Sequence, residues 1–405
     1  MEKIISNEST NFDLNKIFIA LLTFSLFTSF NILNIGGFIL SFKKIMIFFS
    51  ILFMIISIKS IKIDFKFLSA ILIFVVILNI GNIINISFNW NSMILLFSNV
   101  IFLLLLMFFL QKNKLSLFFI KSWIFMGFMM SFIAIFQTFG ILPQIQDSIL
   151  GLYSEDHYSI NRGDIFSLKR ATGLFIDPNF FVSYLILASI LNRQFLKNIF
   201  FEIIIIFGVF STLSRMGLIA LILTYIISNN FKNSIVYVVW SFIFFFLLLL
   251  ILPESFSAFF TSRFSEILNL STYLNYNILG SIEMSSTVGR LLTLFAAKNI
   301  FLENFWFGVG IGNIRIAYES ILGFSTVTHN TFLEFFVLSG VFGIIPTYLL
   351  IRFLKNSFQS QEIVIKRISV LFFVSFMFLS VITNVFLFYP IFFSRLISHI
   401  IINEK

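Results

Sequence analysis

A polar block with glycines lies between long apolar runs in the C-terminal part of the chain. It reads Thr328-His329-Asn330-Thr331-Phe332-Leu333-Glu334 and is followed by Gly340-Val341-Phe342-Gly343. Polar and ionisable side chains at the mouth of an apolar helix are costly to place near lipid, so they indicate a functional site. His329 is a candidate because imidazole titrates near neutral pH and the chain has only 3 histidines. The alternative is a helix-entry residue that hydrogen-bonds a neighbouring loop.

Three further segments combine an arginine with residues that shape the backbone. Arg170 precedes Gly173, Asp177 and Pro178; Arg215 follows Ser214 between two apolar runs; Arg290 opens an amphipathic stretch that ends at Phe301. Guanidinium groups bind phosphate in bidentate geometry and tolerate partial burial better than ammonium groups do. Each segment also has a structural alternative. Asp177 and Pro178 suit the N-cap and first position of a helix, and Arg215 can extend its charge to the membrane surface.

The composition indicates the class of protein. Of the 405 residues, 59% are hydrophobic, 11% are charged and 62 are phenylalanine. Apolar stretches of about 17–25 residues recur along the chain, and each can cross a hydrocarbon core of about 30 Å. They lack strand-like alternation, so they are expected to be helices, whose backbone groups are satisfied internally. We predict an all-α polytopic membrane protein that forms a single integral membrane domain over residues 1–405.

The apolar pattern predicts about twelve transmembrane helices. Their expected ranges are 17–34, 38–58, 67–84, 92–110, 119–140, 174–191, 199–212, 216–228, 234–252, 330–351, 368–385 and 389–402. The pair 199–212 and 216–228 is short for two spans, and one long helix broken at Ser214-Arg215 is the alternative. We favour two helices, because a single span would reverse the orientation of everything that follows. The first run lacks a basic leader and a small-residue cleavage site, so we expect a retained helix.

Basic residues in short connections favour the cytoplasm and so predict the orientation. With twelve spans, most of the basic connections and both termini lie on the cytoplasmic side, although Lys43 and Lys44 break the rule. Two long outer loops then comprise residues 141–173 and 253–329. The net charge of +9 is a topology signal on this assignment and gives no case for nucleic acid.

Arginine is enriched among the outer cations. Of the 27 lysines and arginines, 17 lie inside and 10 outside on this topology, and ten acidic residues accompany the outer ones. The outer arginines are Arg162, Arg170, Arg215, Arg263, Arg290 and Arg315. They predict an outward-facing diphosphate clamp, with structural pairing to the outer acids as the alternative. The segment Gly308-Val309-Gly310-Ile311-Gly312 is no nucleotide fingerprint, because no strand precedes it. We expect a turn close to the membrane.

The order of these motifs resembles the bacterial O-antigen ligase and O-antigen polymerase superfamily. The matching elements are R-x-x-G-x-x-x-D-P-N from Arg170, S-R-x-G from Ser214, G-R at Arg290, the G-V-G-x-G turn from Gly308, and H-N from His329 with G-x-x-G eleven residues later. The resemblance covers a core of about residues 165–350, and the first 160 residues match only in hydropathy. Each single element is unspecific, but the five elements in this order are strong evidence for the resemblance.

The resemblance implies a glycosyltransferase of the bacterial inner (cytoplasmic) membrane whose active site faces the periplasm, so that both long loops are periplasmic. The donor would be a glycan linked to undecaprenyl diphosphate, and the acceptor a sugar hydroxyl of a lipid-linked repeat unit or of lipid A core. Membrane lipids and a chain-length regulator protein are further expected partners. No cofactor and no metal are expected, since no carboxylate-rich metal site is visible and the absence of cysteine excludes thiolate ligands.

The family motifs also suggest roles for the candidate residues. Arg215 and Arg290 would stabilise the diphosphate leaving group, and Arg170 would assist in binding it. The H-N motif implies that His329 is the general base or orients the acceptor, with Asn330 beside it in the substrate site. Direct attack would invert the anomeric configuration. Glu334 lies roughly on another face of an ideal helix, so we do not pair it with His329.

Three functions remain open at this point. A polymerase that extends O-antigen or capsular polysaccharide is favoured by the substantial first outer loop and by the scarcity of outer charge for an anionic core acceptor. An O-antigen ligase is the alternative, because the H-N-x9-G-x-x-G spacing occurs in both branches. A transporter or flippase of lipid-linked glycans is the second alternative, but we find no matching halves of the kind that transporters show.

Overall fold

The computed structural model describes residues 14–28, 31–35, 38–57, 65–84, 90–138, 141–142, 170–175, 177–227, 286–323, 330–379 and 389–403. The first helices are α1 (Leu14–Leu26), α2 (Phe42–Ser57), α3 (Phe65–Ile84), α4 (Trp90–Lys112) and α5 (Ser116–Thr138). The next three are α6 (Pro178–Leu191), which continues into a π-helical turn (Asn192–Leu196), α7 (Ile199–Ser211) and α8 (Arg215–Ile226). The last six are α9 (Ser286–Glu303), α10 (Ile314–Leu322), α11 (Thr331–Ser339), α12 (Ile344–Phe358), α13 (Ile363–Phe378) and α14 (Tyr389–Asn403), with a 3₁₀ turn (Gly340–Gly343) between α11 and α12.

The buried apolar side chains form two clusters, and α4 and α13 contribute to both of them. The first cluster surrounds α5, where the fully buried Trp123 stacks on Tyr184 of α6 at 5.3 Å between ring centroids. The second cluster joins α3 and α9 to α12 and includes the buried Phe335. Helix α13 contributes to both clusters, with Leu371 in the first and Phe372 in the second. Helix α4 does the same, with Phe102 in the first cluster and Val100 in the second, so both helices lie between the two halves of the core.

The prediction for residues 17–34 and 38–58 was wrong at the junction of the two helices. Helix α1 ends at Leu26, and an antiparallel hairpin of β1 (Asn31–Ile35) and β2 (Phe38–Ser41) follows it. The sequence between the strands is Gly36-Gly37, a pair typical of two-residue hairpin connections. Helix α2 begins directly after the second strand. Apart from this hairpin, the regular structure in the described ranges is helical.

The predicted continuous helix 330–351 is also corrected. It is divided into α11 and α12 by the 3₁₀ turn, and Gly340 adopts a positive φ of 58° there. L-residues with a side chain rarely take this conformation, so glycine allows the chain to leave the α-helical path. The backbone N–H of Val341 donates to the carbonyl oxygen of Phe305 at 2.8 Å, so the segment that follows α9 packs against this break.

The two short helices predicted at 199–212 and 216–228 are confirmed as α7 and α8. Leu213 lies between them at a positive φ of 50°, a costly conformation for a residue with a side chain. The helices then take different neighbours, since α7 packs on α5 and α8 packs on α13.

Two helical stretches of the described residues are long and apolar enough to cross a membrane, Ser116–Thr138 and Thr331–Phe358. Several shorter apolar helices accompany them. The predicted helix 234–252 lies outside the described residues. Twelve spans and the inside–outside assignment therefore stay predictions.

The Gly308–Gly312 turn packs against α3 and the break between α11 and α12. The N–H of Gly310 donates to the carbonyl oxygen of Leu338 at 2.9 Å, and the N–H of Gly312 donates to Oδ1 of Asn82 at 3.1 Å. A Cβ atom on Gly308 would overlap the backbone of Leu338. The glycines thus permit a close approach of backbone to backbone, which fixes the end of α9 beside α11.

We expect Gly308→Ala to destabilise the protein more than Gly323→Ala does. Both glycines have positive φ, 66° and 76°, so the backbone strain of the two substitutions is similar. Only Gly308 meets a neighbouring backbone, whereas a Cβ on Gly323 finds nothing within 4 Å. The expected difference is about 2–3 kcal/mol of unfolding free energy, measured by denaturation in detergent. Equal stability of the two variants would contradict the packing described for this turn.

At the C-terminal end of α6, the partly buried carboxylate of Glu202 joins three helices. Nε of Arg193 lies 3.0 Å from Oε1 of Glu202, and Ser189 and Asn192 donate to the same carboxylate at 2.7 and 3.0 Å. The hydroxyl of Tyr225 on α8 also donates to it. A carboxylate with four such donors is well compensated for its burial, and this cluster fixes the ends of α6, α7 and α8 relative to one another.

Candidate functional site

The segment that carries Arg170 is bound to the ends of α5 and α7. Its backbone is held by Gln137, whose Oε1 accepts from the N–H of Gly173 at 2.9 Å and whose Nε2 donates to the carbonyl oxygen of Gly173 at 2.9 Å. Nε of Arg170 donates to the carbonyl oxygen of Thr212 at 3.2 Å. Arg170 is partly buried. The predicted first motif therefore lies directly against the break that precedes Arg215.

The helix start predicted at Asp177-Pro178 is confirmed. Oδ1 of Asp177 accepts from the N–H of Asn179 at 2.6 Å, and Pro178 is the first residue of α6. Asn179 in turn reaches the second motif, because its Oδ1 accepts from the hydroxyl of Ser214 at 2.8 Å. Asp177 thus has a structural role, whereas the asparagine after the proline joins two motifs.

Arg215 is the first residue of α8, and Ser214 is the N-cap. The Ser214 hydroxyl accepts from the N–H of Gly217 at 3.2 Å. A cation in this position opposes the helix dipole by about 0.3–1 kcal/mol, whereas an anion bound there is attracted by both the dipole and the guanidinium. Arg215 is partly buried. The local geometry is suited to an anionic ligand.

Helices α8 and α13 run antiparallel, so the N-terminus of α8 lies at the same end of the bundle as the C-terminus of α13. At one end, Nε of Arg367 donates to the carbonyl oxygen of Ile227 at 2.9 Å. At the other end, the hydroxyls of Ser183 on α6 and Ser375 on α13 lie 3.5 Å apart. Ser183 is one helical turn from Asn179, which contacts the N-cap of α8. The N-terminus of α8 and the C-terminus of α13 therefore occupy the same end of the bundle.

Arg290 is located at this same end. Its guanidinium carbon lies 5.8 Å from the ring centroid of Phe378, the last residue of α13, in a cation–π arrangement. The side chain is partly buried. Arg290 lies in the first turns of α9, so the predicted amphipathic stretch of the large loop is a helix whose start meets α13.

The polar block that follows His329 contacts the end of α13 as well. The Thr331 hydroxyl donates to the carbonyl oxygen of Leu379 at 2.7 Å, and Nδ2 of Asn330 lies 4.0 Å from the sulfur of Met377. Asn330 is the N-cap of α11, and its Oδ1 accepts from the N–H of Leu333 at 3.1 Å. His329 lies outside the described residues, and its sequence neighbour Asn330 is partly buried at this point.

The end of α13 is thus the common neighbour of the predicted motifs. Arg290 and the Asn330-Thr331 pair contact it directly, and the Arg215 and Arg170 segments reach it through Asn179 and Ser183. Three partly buried arginines at one end of the bundle can bind a diphosphate and stabilise negative charge as it develops on a leaving group. The arrangement of the described residues is therefore suited to an anionic ligand.

Sequence reasoning missed several residues that build the site. Gln137 clamps the Arg170 segment, and a lone amide at the end of an apolar helix was the available signal. The ring of Phe378 lies beneath the guanidinium of Arg290, but Phe378 is one of 62 phenylalanines and belongs to no motif. Glu334 was set aside, yet it is fully buried within α11, four residues after Asn330. Burial of a carboxyl group costs free energy, so Glu334 is a further candidate for a functional residue in α11.

The predicted first long loop, residues 141–173, falls mostly outside the described residues. The described part of the large loop, 253–329, contains α9 and α10. The boundaries of both loops and of the proposed 165–350 core therefore stay predictions.

The apolar helices indicate an integral membrane protein, and the arginines of the predicted motifs lie at one end of them. Residues 200–348 match the protein family described as O-antigen ligase. This match confirms the resemblance to the O-antigen ligase and polymerase superfamily, and it includes α8, α9 and α11 with Arg215, Arg290 and Asn330. No curated protein matches the chain. The coarse function that follows is glycan transfer of the ligase or polymerase type from a lipid-linked donor to an acceptor.

Proposed function

We propose that the protein is an O-antigen or capsular polysaccharide polymerase. It transfers a glycan from undecaprenyl diphosphate to a hydroxyl of another lipid-linked repeat unit at the periplasmic face of the bacterial inner membrane. The observation that carries the shared chemistry is the convergence of the Arg215, Arg290 and Asn330 segments at the C-terminal end of α13. The choice of a polymerase rests on the near-neutral outer charge, which suits an acceptor without phosphate.

In this reaction the bond between the anomeric carbon and the diphosphate oxygen breaks while the acceptor oxygen bonds to the same carbon. The electron pair of the broken bond leaves with the diphosphate, where Arg215 and Arg290 stabilise the new negative charge and Arg170 helps to hold the group. His329 takes the proton of the acceptor hydroxyl. Asn330 orients the glycan beside it. Attack from the face opposite to the leaving group inverts the anomeric configuration, and the arginines take the place of a divalent cation.

A second candidate is an O-antigen ligase that transfers the glycan to lipid A core, and the description of the matched family favours it. The same donor site and base serve both reactions, so only the acceptor differs. The family match gives no support to the transporter alternative. A chain-length regulator is proposed as a partner of the polymerase alone.

The glycan profile of a strain that lacks the protein distinguishes the two candidates. We expect long chains to disappear while one repeat unit remains attached to lipid A core. Complete loss of attached glycan, together with accumulated lipid-linked polymer, would identify a ligase instead. Expression of Arg290→Ala in the same strain tests the alternative that the protein has only a structural role and does not need this arginine. Restored long chains in that strain would contradict the proposed chemistry.

A further inference from the structure

Two arginines that belong to none of the predicted motifs meet at the end of the bundle opposite the candidate site. Arg367 lies near the start of α13, about 16 Å from Phe378 at 1.5 Å per residue, and its Nε donates to the carbonyl oxygen of Ile227 at 2.9 Å. Arg193 lies in the π-helical turn after α6, and its guanidinium carbon is 3.4 Å from the ring centroid of Tyr225. Both cations are therefore located at the C-terminal end of α8.

One carboxylate accompanies these two arginines. Oε1 of Glu202 lies 3.0 Å from Nε of Arg193, and the hydroxyl of Tyr225 and two side chains at the end of α6 donate to the same carboxylate. A carboxylate has about four lone-pair sites, so these partners leave Glu202 none for Arg367. Among the described residues, no other carboxylate lies within 4 Å of either guanidinium. The cluster therefore has one net positive charge.

The excess charge is concentrated on Arg367. Its guanidinium is partly buried, and Arg193 is close enough for the two positive charges to repel. Within the described ranges, the hydrogen bonding of Arg367 uses Nε alone. The two terminal nitrogens form the planar fork that binds two oxygens of one phosphate, and partial burial reduces the screening of such a contact by salt. An anion with at least two oxygens would therefore stabilise this end of the bundle.

The surroundings of the cluster resemble a membrane surface. Glu202 belongs to the first turn of α7, where Ile199 and Phe200 are 76% and 54% exposed. The exposed Lys197 directly precedes this turn. Apolar side chains beside cations at a helix end suit the boundary between lipid tails and headgroups. The predicted orientation puts this end on the cytoplasmic side, where membranes carry anionic lipids.

We propose that Arg367 and Arg193 form a second anion site, which binds a phosphate group at the end of the bundle opposite the predicted motifs. An anionic phospholipid of the surrounding leaflet supplies the phosphate, with its tails against Ile199 and Phe200. The proposal does not depend on the transfer reaction, because none of these residues belongs to the proposed diphosphate site.

The test measures binding to purified, delipidated full-length protein in detergent by native mass spectrometry. The probes are dioleoyl phosphatidylglycerol, dioleoyl phosphatidylcholine and inorganic phosphate, which separate an anionic headgroup from the tails and from a free anion. Arg367→Gln removes the charge, and Arg352→Gln is the matched control at an exposed arginine of α12. Glu202→Gln removes the competing carboxylate. Thermal unfolding of each variant is recorded first.

Arg367→Gln should weaken binding of phosphatidylglycerol about fivefold, the contribution of one cation near a membrane surface. Arg352→Gln should change it less than about twofold. Glu202→Gln should tighten binding severalfold, and this opposite sign separates the charge effect from misfolding, which weakens binding in every variant.

Wild-type affinity of Arg367→Gln for phosphatidylglycerol and for phosphate would overturn the proposed site. Equal binding of the two phospholipids, together with phosphate binding that requires Arg367, would keep the anion site and overturn the lipid as its source. Weaker binding by Glu202→Gln at unchanged thermal stability would show that the carboxylate does not compete with the ligand, and would also overturn the proposal.

Discussion

We expect replacement of Arg290 with lysine to lower glycan transfer from a lipid diphosphate by about 100- to 1,000-fold, the cost of losing one preorganised donor to a developing anion. Lysine keeps the charge but loses the planar fork that binds phosphate through two N–H groups and stacks on an aromatic ring. The guanidinium carbon of Arg290 lies 5.8 Å from the centroid of the Phe378 ring. The measurement is the rate of chain extension by purified protein supplied with lipid-linked repeat units.

Lys298→Ala is the matched control for this prediction. Lys298 is an exposed cation on the same helix α9, two turns after Arg290, so its removal changes net charge without touching the end of α13. We expect less than about a twofold change in rate for an exposed charge of this kind. Near-normal turnover by Arg290→Lys would refute a bidentate diphosphate contact.

His329→Ala is expected to lower the transfer rate by about 100- to 10,000-fold, the range for loss of a general base. A base must be unprotonated to accept the hydroxyl proton, so wild-type activity should fall as the pH decreases through the titration of imidazole. The variant should lose this acidic limb of the pH profile. The profile separates a base from a residue that only supports the loop, because a structural defect lowers the rate equally at every pH.

His399→Ala is the control histidine, located in α14 away from the end of α13. We expect its rate and its pH profile to match the wild type. Full chain extension by His329→Ala would show that another group accepts the proton. The buried Glu334, four residues after Asn330, would then be the next residue to replace.

The sequence predicted the local features of the site well. Spacing and residue type identified the N-cap at Asp177, the break before Arg215 and the amphipathic stretch from Arg290 to Phe301, which lies within α9, because such features depend on a few neighbouring residues. Helix ends were less accurate. The β-hairpin at residues 31–41 and the break at Gly340 replaced predicted continuous helix, since an apolar run does not distinguish a span from two shorter elements.

The common neighbour of the motifs could not be predicted from the sequence. The end of α13 carries Met377, Phe378 and Leu379, apolar residues that resemble many others in this chain. Its contribution comes from backbone position and ring placement, as in the hydrogen bond from Thr331 to the carbonyl oxygen of Leu379. Neither depends on a side chain that a motif search would select. Only the packing of α8 and α6 on α13 identifies it.

The position of this common neighbour has a consequence for biosynthesis. Arg170 and Arg215 emerge from the ribosome long before Phe378 and Leu379, the residues on which Arg290 and Thr331 rest. A nascent chain that ends after α9 therefore contains Arg170, Arg215 and Arg290 but lacks the C-terminal end of α13, beside which they lie. Because α13 also contributes to both halves of the core, and only α14 follows it among the described helices, the surface that arranges the arginines forms late in synthesis. Chains that end before α13 would therefore lack the arrangement of arginines that we propose for the diphosphate.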